Sequence, residues 1–300
     1  MISTRSRSLW MGFARWFLPC VVLCLGLGQA FPRPRAVEDP KKGIPFVAVF
    51  IDDATEKALG PFPYDREQYA KAVAALRRAK ADAVVLKFFM DQAKSRSGDD
   101  RLAAEIKAFP VYLQACFDPL EMRPHPLPTR FDRTDQYIKG KERLLSGRGG
   151  WIPLEKFSGY CAGIGFVDLA SEEDVFHVPM LLRYKDRVVP SLQLLVLERV
   201  LGKRASFEPG RKMQLGATSL PIDKACQVQV PLPKEDKVDY IPFVDLLEGR
   251  FDPERVRGKV VIVGYDSEKT PTLPTPLGRV RMHRVFYYHL VGLYEGLMSP

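Results

Sequence analysis

Residues Val47-Ala48-Val49-Phe50-Ile51 form an unbroken apolar run that stops at Asp52-Asp53. A short continuous run closed by polar residues predicts a strand buried on both faces. Comparable runs at 83–89, 111–117, 163–169 and 259–263 predict further buried strands. Between the first of these the period changes to that of a helix. Asp65 followed by Gln68 has the form of a capping box, and Tyr69, Val73 and Leu76 recur at i, i+4 and i+7. A helix is therefore expected from Arg66 to about Lys80. Residues 54–59 give one or two helical turns stopped by Gly60, and 100–107 a second short helix.

This β-α-β-α-β order calls for parallel pairing through crossovers, right-handed by the general rule. Residues 180–189 have the form of a hairpin turning at Lys185-Asp186. Ser191 is placed to cap a helix that runs to Leu201 and ends at Gly202. Two short strands are expected within 213–231, a small helix at 243–247, and an amphipathic final helix at 285–297 rich in Tyr and Leu. Residues 118–150 break the pattern with Pro119, Pro124, Pro126 and Pro128, then Gly147-Arg148-Gly149-Gly150. They are expected to be an excursion, mobile in part. The predicted class is α/β: one large domain with a mixed, largely parallel sheet flanked by helices, plus an antiparallel hairpin excursion.

The N-terminus changes the picture of location. Arg5, Arg7 and Arg15 precede or open an apolar stretch at 16–30 with no acidic residue, and Gly28 and Ala30 are small. This is the layout of a signal peptide cleaved before Phe31. The apolar run is shorter than the roughly 20 residues that span a bilayer, so an uncleaved anchor needs Arg15 to snorkel. Pro19 and Leu23, which precede Cys20 and Cys24, are not the small residues a lipoprotein site calls for. Residues 31–43 form a linker. The net charge of +9 falls to +6 once those three arginines are set aside. That excess suits an anionic membrane surface or an acidic ligand, or is simply a solvated surface. No basic stripe with interleaved aromatics is present, so nucleic acid is not an expected partner.

Candidate chemistry is sparse. Gly258-Lys259 precedes its strand and is followed by Val260, the reverse of a phosphate loop. There is no G-x-S-x-G elbow, and His283 and His289 are six apart, off the spacing of paired helical ligands. No metal or cofactor is expected. Cys116, Cys161 and Cys226 show no CxxC spacing; in an exported domain one pair of them is open to a disulfide. The strand-end carboxylates Asp52 and Asp53 are suited to a cation or polar ligand, since open α/β sheets bind ligands at carboxyl strand ends. The plain alternative is that one caps the next turn and the other is solvated. Arg66 is placed to pair with one of them or to bind an anion.

In order along the chain, Asp52-Asp53-Ala54-Thr55 and Gly60-Pro61-Phe62-Pro63-Tyr64-Asp65-Arg66 are similar to an I-D-E-x-S strand end followed by G-x-W-P-W-x-R. That is the opening signature of the type-two CHASE domain. Gly165-Phe166-Val167-Asp168, Pro190-Ser191-Leu192 and the strand block Gly258 to Gly264 resemble its later blocks. Thr275-Pro276-Leu277 and His283 resemble its closing T-P-L … H-A region. The similarity covers about residues 44–297. It implies a bacterial extracytoplasmic sensory domain, periplasmic or in the cell envelope, associated with cyclases, histidine kinases or phosphatases. The chain reaches Pro300 with no output module, so a separate membrane signalling partner is expected.

Departures from the pattern are specific. Lys87 stands where the family carries Asp, Phe176-His177 where an Arg precedes V-P-L, and Arg284 where Ala follows His. A buried ion pair between Lys87 and Asp52 or Asp53 is one expectation. The ligand-site expectation is Asp52, Asp53, Arg66 and Lys87, with Tyr265 and Asp266 at the end of the 259–263 strand. The ligand is an unnamed small molecule or ion. The alternatives are a ligand-free envelope adaptor docking through the excursion and the last helix, and a hydrolase built on the paired carboxylates.

Overall fold

The computed structural model describes residues 43–299, apart from 123–125, 134, 137, 173 and 174 and the side chains of 170–175. β1 (Phe46–Ile51) leads into α1 (Asp53–Leu59) and α2 (Arg66–Arg78), then β2 (Ala83–Leu86), α3 (Arg96–Ala108) and β3 (Val111–Asp118). Two short strands follow, β4 (Ser146–Gly147) and β5 (Gly149–Trp151), then α4 (Glu155–Ser158) and β6 (Gly163–Phe166). β7 (Ala170–Glu172) and β8 (Val175–Pro179) precede the hairpin of β9 (Leu181–Tyr184) and β10 (Arg187–Pro190), which enters α5 (Leu192–Leu201). Four short strands, β11 (Ser206–Glu208), β12 (Lys212–Leu215), β13 (Thr218–Pro221) and β14 (Gln227–Gln229), come next. The chain ends through β15 (Tyr240–Pro242), α6 (Phe243–Glu248), β16 (Val260–Tyr265), the hairpin of β17 (Thr272–Thr275) and β18 (Gly278–Arg281), and α7 (Met282–Met298).

The main sheet has the order β15-β1-β16-β2-β3-β5, with β6 also paired to β3. Every pairing in it is parallel except β3 with β5. Side-chain alternation divides the core into two layers. Val47, Val49, Ile51, Val84, Leu86, Val261 and Val263 face one side, where α2 and α3 bring Tyr69, Val73, Leu76, Leu102 and Ile106. Phe46, Ala83, Val85, Val260 and Ile262 face the other, against Leu194 and Leu197 of α5 and Phe286 and Leu290 of α7. Each such Val, Leu, Ile or Phe side chain, fully buried, contributes about 1.5–3 kcal/mol. The α/β class with its antiparallel hairpins is as the patterning requires.

The turn at Lys185-Asp186 lies between β9 and β10, with Lys185 at φ 55°. Ser191 caps α5 by accepting from Leu194 N–H, and Gly202 closes it in the left-handed region. Two glycines are needed for close approach. A Cβ on Gly165 would meet the backbone of Leu192 at 2.3 Å, and one on Gly264 would meet Nδ1 of His283 at 2.7 Å.

Several expectations are corrected. β2 ends at Leu86 rather than Phe89, and β6 at Phe166 rather than Leu169, because the chain leaves the ladder there. α3 starts at Arg96, not Asp100, because Ser95 caps it through Gly98 N–H. The capping box at α2 is incomplete: Asp65 accepts from Glu67 N–H, and Gln68 N–H donates to the Asp65 carbonyl. Three strands, not two, fall within 212–229. The excursion is packed where it is described: Leu127, Phe131, Ile138 and Leu144 are buried, and β5 extends the main sheet.

Cys116, Cys161 and Cys226 are all free thiols, which removes the disulfide alternative among them. The N-terminal segment read as signal or anchor, and the linker up to residue 42, lie outside the described residues. No helix among the described residues is long and apolar enough to cross a membrane.

Candidate functional site

Strand order decides which of the expected site residues meet. β16 inserts between β1 and β2, so Asp52 at the end of β1 and Lys87 just past β2 are not on neighbouring strands. The expected Lys87–Asp52 or Lys87–Asp53 ion pair is therefore absent. Asp52 instead caps α1. Its Oδ1 accepts from Thr55 N–H at 2.8 Å and from the Thr55 hydroxyl at 2.7 Å, and its Oδ2 accepts from the Tyr240 hydroxyl at 3.1 Å. Asp53 is exposed and accepts from Glu268 N–H. Arg66 pairs with neither. Its Nη2 donates to the carbonyls of Phe89 and Gln92 at 3.4 and 3.3 Å, and its Nε faces Asp99 on α3 at 3.7 Å.

Asp266 is also committed elsewhere. It is 2% exposed and takes a bidentate fork from Arg284 at 2.8–3.0 Å, with Arg281 at 3.5 Å. Arg284 thus supplies the partner that a buried carboxylate requires. The pairing holds the Arg284 guanidinium firmly protonated, above its ordinary range, although burial opposes it.

The remaining three residues do converge. Arg66, Lys87 and Tyr265 line one cavity of about 430 Å³ at the carboxyl ends of β2 and β16, beside β3. The volume is that of a small-molecule site, and the position is the one open α/β sheets use. The walls are aromatic. Phe62 stacks on Tyr265 with centroids 4.3 Å apart, Phe88 packs on Tyr69 at 4.9 Å, and Trp151 meets Phe89 edge-on at 4.8 Å.

Lys87 is 6% exposed. The alternation that directs Val85 to the α7 side also directs Lys87 there, and its Nζ lies 4.8 Å from the Phe286 ring centroid. Its hydrogen-bond partner is Gln114 Oε1 on β3, at 3.5 Å. Burial without a neighbouring carboxylate pushes Lys87 down to about 8.

His283, at the start of α7, lines the same cavity. Its Nδ1 accepts from Tyr265 N–H at 2.8 Å, which leaves Nε2 to carry the ring proton. Burial, reinforced by the Lys87 charge, holds the imidazole well below its usual range and therefore neutral. Gly264 makes this contact possible by having no Cβ. Patterning alone offers His283 only as a metal ligand or packing residue, although it stands in the block that resembles the closing T-P-L … H-A region. Gln114 and the aromatic wall carried no sequence signal, because a strand interior and scattered aromatics both read as core.

Burial pushes the thiols of Cys116, Cys161 and Cys226 up to about 12, so they are protonated and poor nucleophiles. No group of three or more His, Cys, Asp or Glu side chains among the described residues is arranged to hold a metal ion.

Searches among curated proteins and among solved structures found no match to the chain. The CHASE2 domain model matches residues 26–290, which takes in most of the chain and the whole cavity. The chain belongs to the CHASE2 domain family, a family of extracytoplasmic sensory domains.

Proposed function

We propose that this domain senses a small ligand held in the aromatic cavity, and that a separate membrane-bound kinase, cyclase or phosphatase reads the bound state. The reading places the domain in the periplasm or cell envelope, exported or anchored by the apolar segment at 16–30. Its main support is the convergence of Arg66, Lys87 and Tyr265 on one cavity at the carboxyl edge of the sheet. An enzymatic reading has less behind it. Asp52 is held as a helix cap, Asp53 lies outside the cavity, and the thiols are held protonated.

The test is a thermal-shift screen of the full chain against small metabolites, anions and divalent cations. A ligand that binds only the native state adds about 2.7 kcal/mol at a hundredfold excess over Kd. The expected result is a dose-dependent rise that Gln92→Trp, placed at the exposed mouth of the cavity, removes. A panel-wide absence of shift, or a shift that Gln92→Trp leaves intact, sinks the cavity reading.

One observation favours a second reading, an adaptor that docks through the excursion. Leu120 and Met122 are 74% and 75% exposed. The last helix, the other docking surface this reading allows, buries Tyr288 and Tyr294, which leaves less of its aromatic face for a partner. Under this reading Leu120→Asp with Met122→Asp abolishes output in cells while ligand-induced stabilisation of the purified chain stays unchanged. Unchanged output rules it out.

A further inference from the structure

The cavity is unusual in what it gives its polar groups to do. Lys87 is an ammonium removed from water with one long hydrogen bond to a neutral amide and an aromatic face beside it. No ion pair joins it to a carboxylate. An unpaired buried charge is costly, and the usual remedies are a counter-charge or loss of the proton. The other polar groups face the same way in chemical sense. His283 keeps its Nε2 proton because Nδ1 already accepts. Gln114 Oε1 is taken by Lys87, which leaves its amide N–H groups as donors. Arg66, which faces Asp99, and Lys94 add two further cations, and Asp91 is the one carboxylate among the lining residues. Donors thus outnumber acceptors, and the walls between them are flat aromatic rings.

We propose that the ligand is a small organic anion: a single carboxylate or sulfonate group carried on a flat apolar body. This rests on the sensor reading above and names the chemical class it serves. The anionic group sits against Lys87, with His283 and Gln114 donating to it, and supplies the counter-charge that the protein omits. The flat body lies against the Phe62, Phe88 and Trp151 walls. A cation meets the positive side chains of Lys87, Arg66 and Lys94 there, and a neutral apolar molecule leaves the Lys87 charge unpaired.

The experiment is calorimetric titration of the full chain with three isosteric probes, benzoate, benzamide and benzylamine, with inorganic phosphate as a charge control. Benzoate is expected to bind, with benzamide, benzylamine and phosphate weaker by at least about tenfold. Lys87→Met should lower benzoate affinity about 100-fold, in the range for loss of one partner of a buried charge pair. Gln114→Glu places a carboxylate beside Lys87 and is a second, independent arm. It should abolish benzoate binding while raising thermal stability, which a merely damaged fold does not do. Benzamide or benzylamine binding as well as benzoate, or benzoate binding undiminished in both variants, overturns the anion assignment and leaves the sensor reading standing. Failure of all four probes and of a wider panel of both charges overturns the sensor reading, and the anion assignment with it.

Discussion

At the scale of single residues, Lys87 and Asp266 represent two ways of burying a charge. Asp266 has a bidentate arginine, so removing that partner leaves the buried carboxylate with only the longer contact to Arg281 at 3.5 Å. Arg284→Ala is expected to destabilise the fold by about 3–5 kcal/mol, measured by urea denaturation. The double change Asp266→Asn with Arg284→Leu should recover part of the loss, because no charge is then stranded.

Lys87 has no such partner, and its folded-state value near 8 lies below its ordinary 10.5. Between those values the unfolded chain binds more protons, so the Lys87 contribution to stability rises with pH across that window and is at its worst below about 8. Lys87→Met should therefore be more stable than the parent at pH 7, by about 3 kcal/mol at ~1.4 kcal/mol per unit. The advantage should shrink as pH rises from 8 towards 10.5. The buried thiols and Tyr112 titrate the opposite way, because their values are raised to about 12. The difference between parent and variant, not the parent curve alone, isolates Lys87. A difference that stays flat across that range shows that Lys87 titrates in the fold as it does in water.

At the scale of elements, caps and close approaches set the frame around the cavity. Ser191→Ala removes the acceptor for Leu194 N–H at the start of α5 and should cost about 1 kcal/mol. Gly165→Ala should cost more than the usual 1–3 kcal/mol of an overpacked site, because the obstructing atoms belong to the Leu192 backbone and have no rotamer to escape into. Gly264→Ala acts through a side chain instead. It pushes on His283 and weakens the bond to Tyr265 N–H, so it should lower ligand affinity more than it lowers the melting temperature. Equal losses in both would mean that His283 only packs. Elements were legible wherever the local code is strong: Ser191 to Gly202 and the Lys185-Asp186 turn needed no partner to be recognised. Ser95 carries no cap signal in the sequence, because charged residues follow it and no apolar stripe announces the helix until Leu102.

At the scale of the whole molecule, Cys116, Cys161 and Cys226 are free thiols, two of them buried. A reductant should leave the melting temperature of the full chain unchanged; a fall would show that a disulfide forms. The parallel sheet, its flanking helices and the family were all determined by sequence, since buried runs, periodicity and ordered short motifs are local and survive without a partner. Half of the expected site was also within reach: Arg66, Lys87 and Tyr265 do line the cavity, because strand ends in an open sheet converge on one edge. What only the tertiary structure decided was who meets whom. The insertion of β16 between β1 and β2 separates Lys87 from Asp52, and the return of α7 brings Arg284 to Asp266 and His283 to the cavity. Strand order is a long-range property of the chain, set by how whole faces pack. A pattern of neighbouring residues therefore fixes where a charge sits along a strand, but not which charge lies across from it.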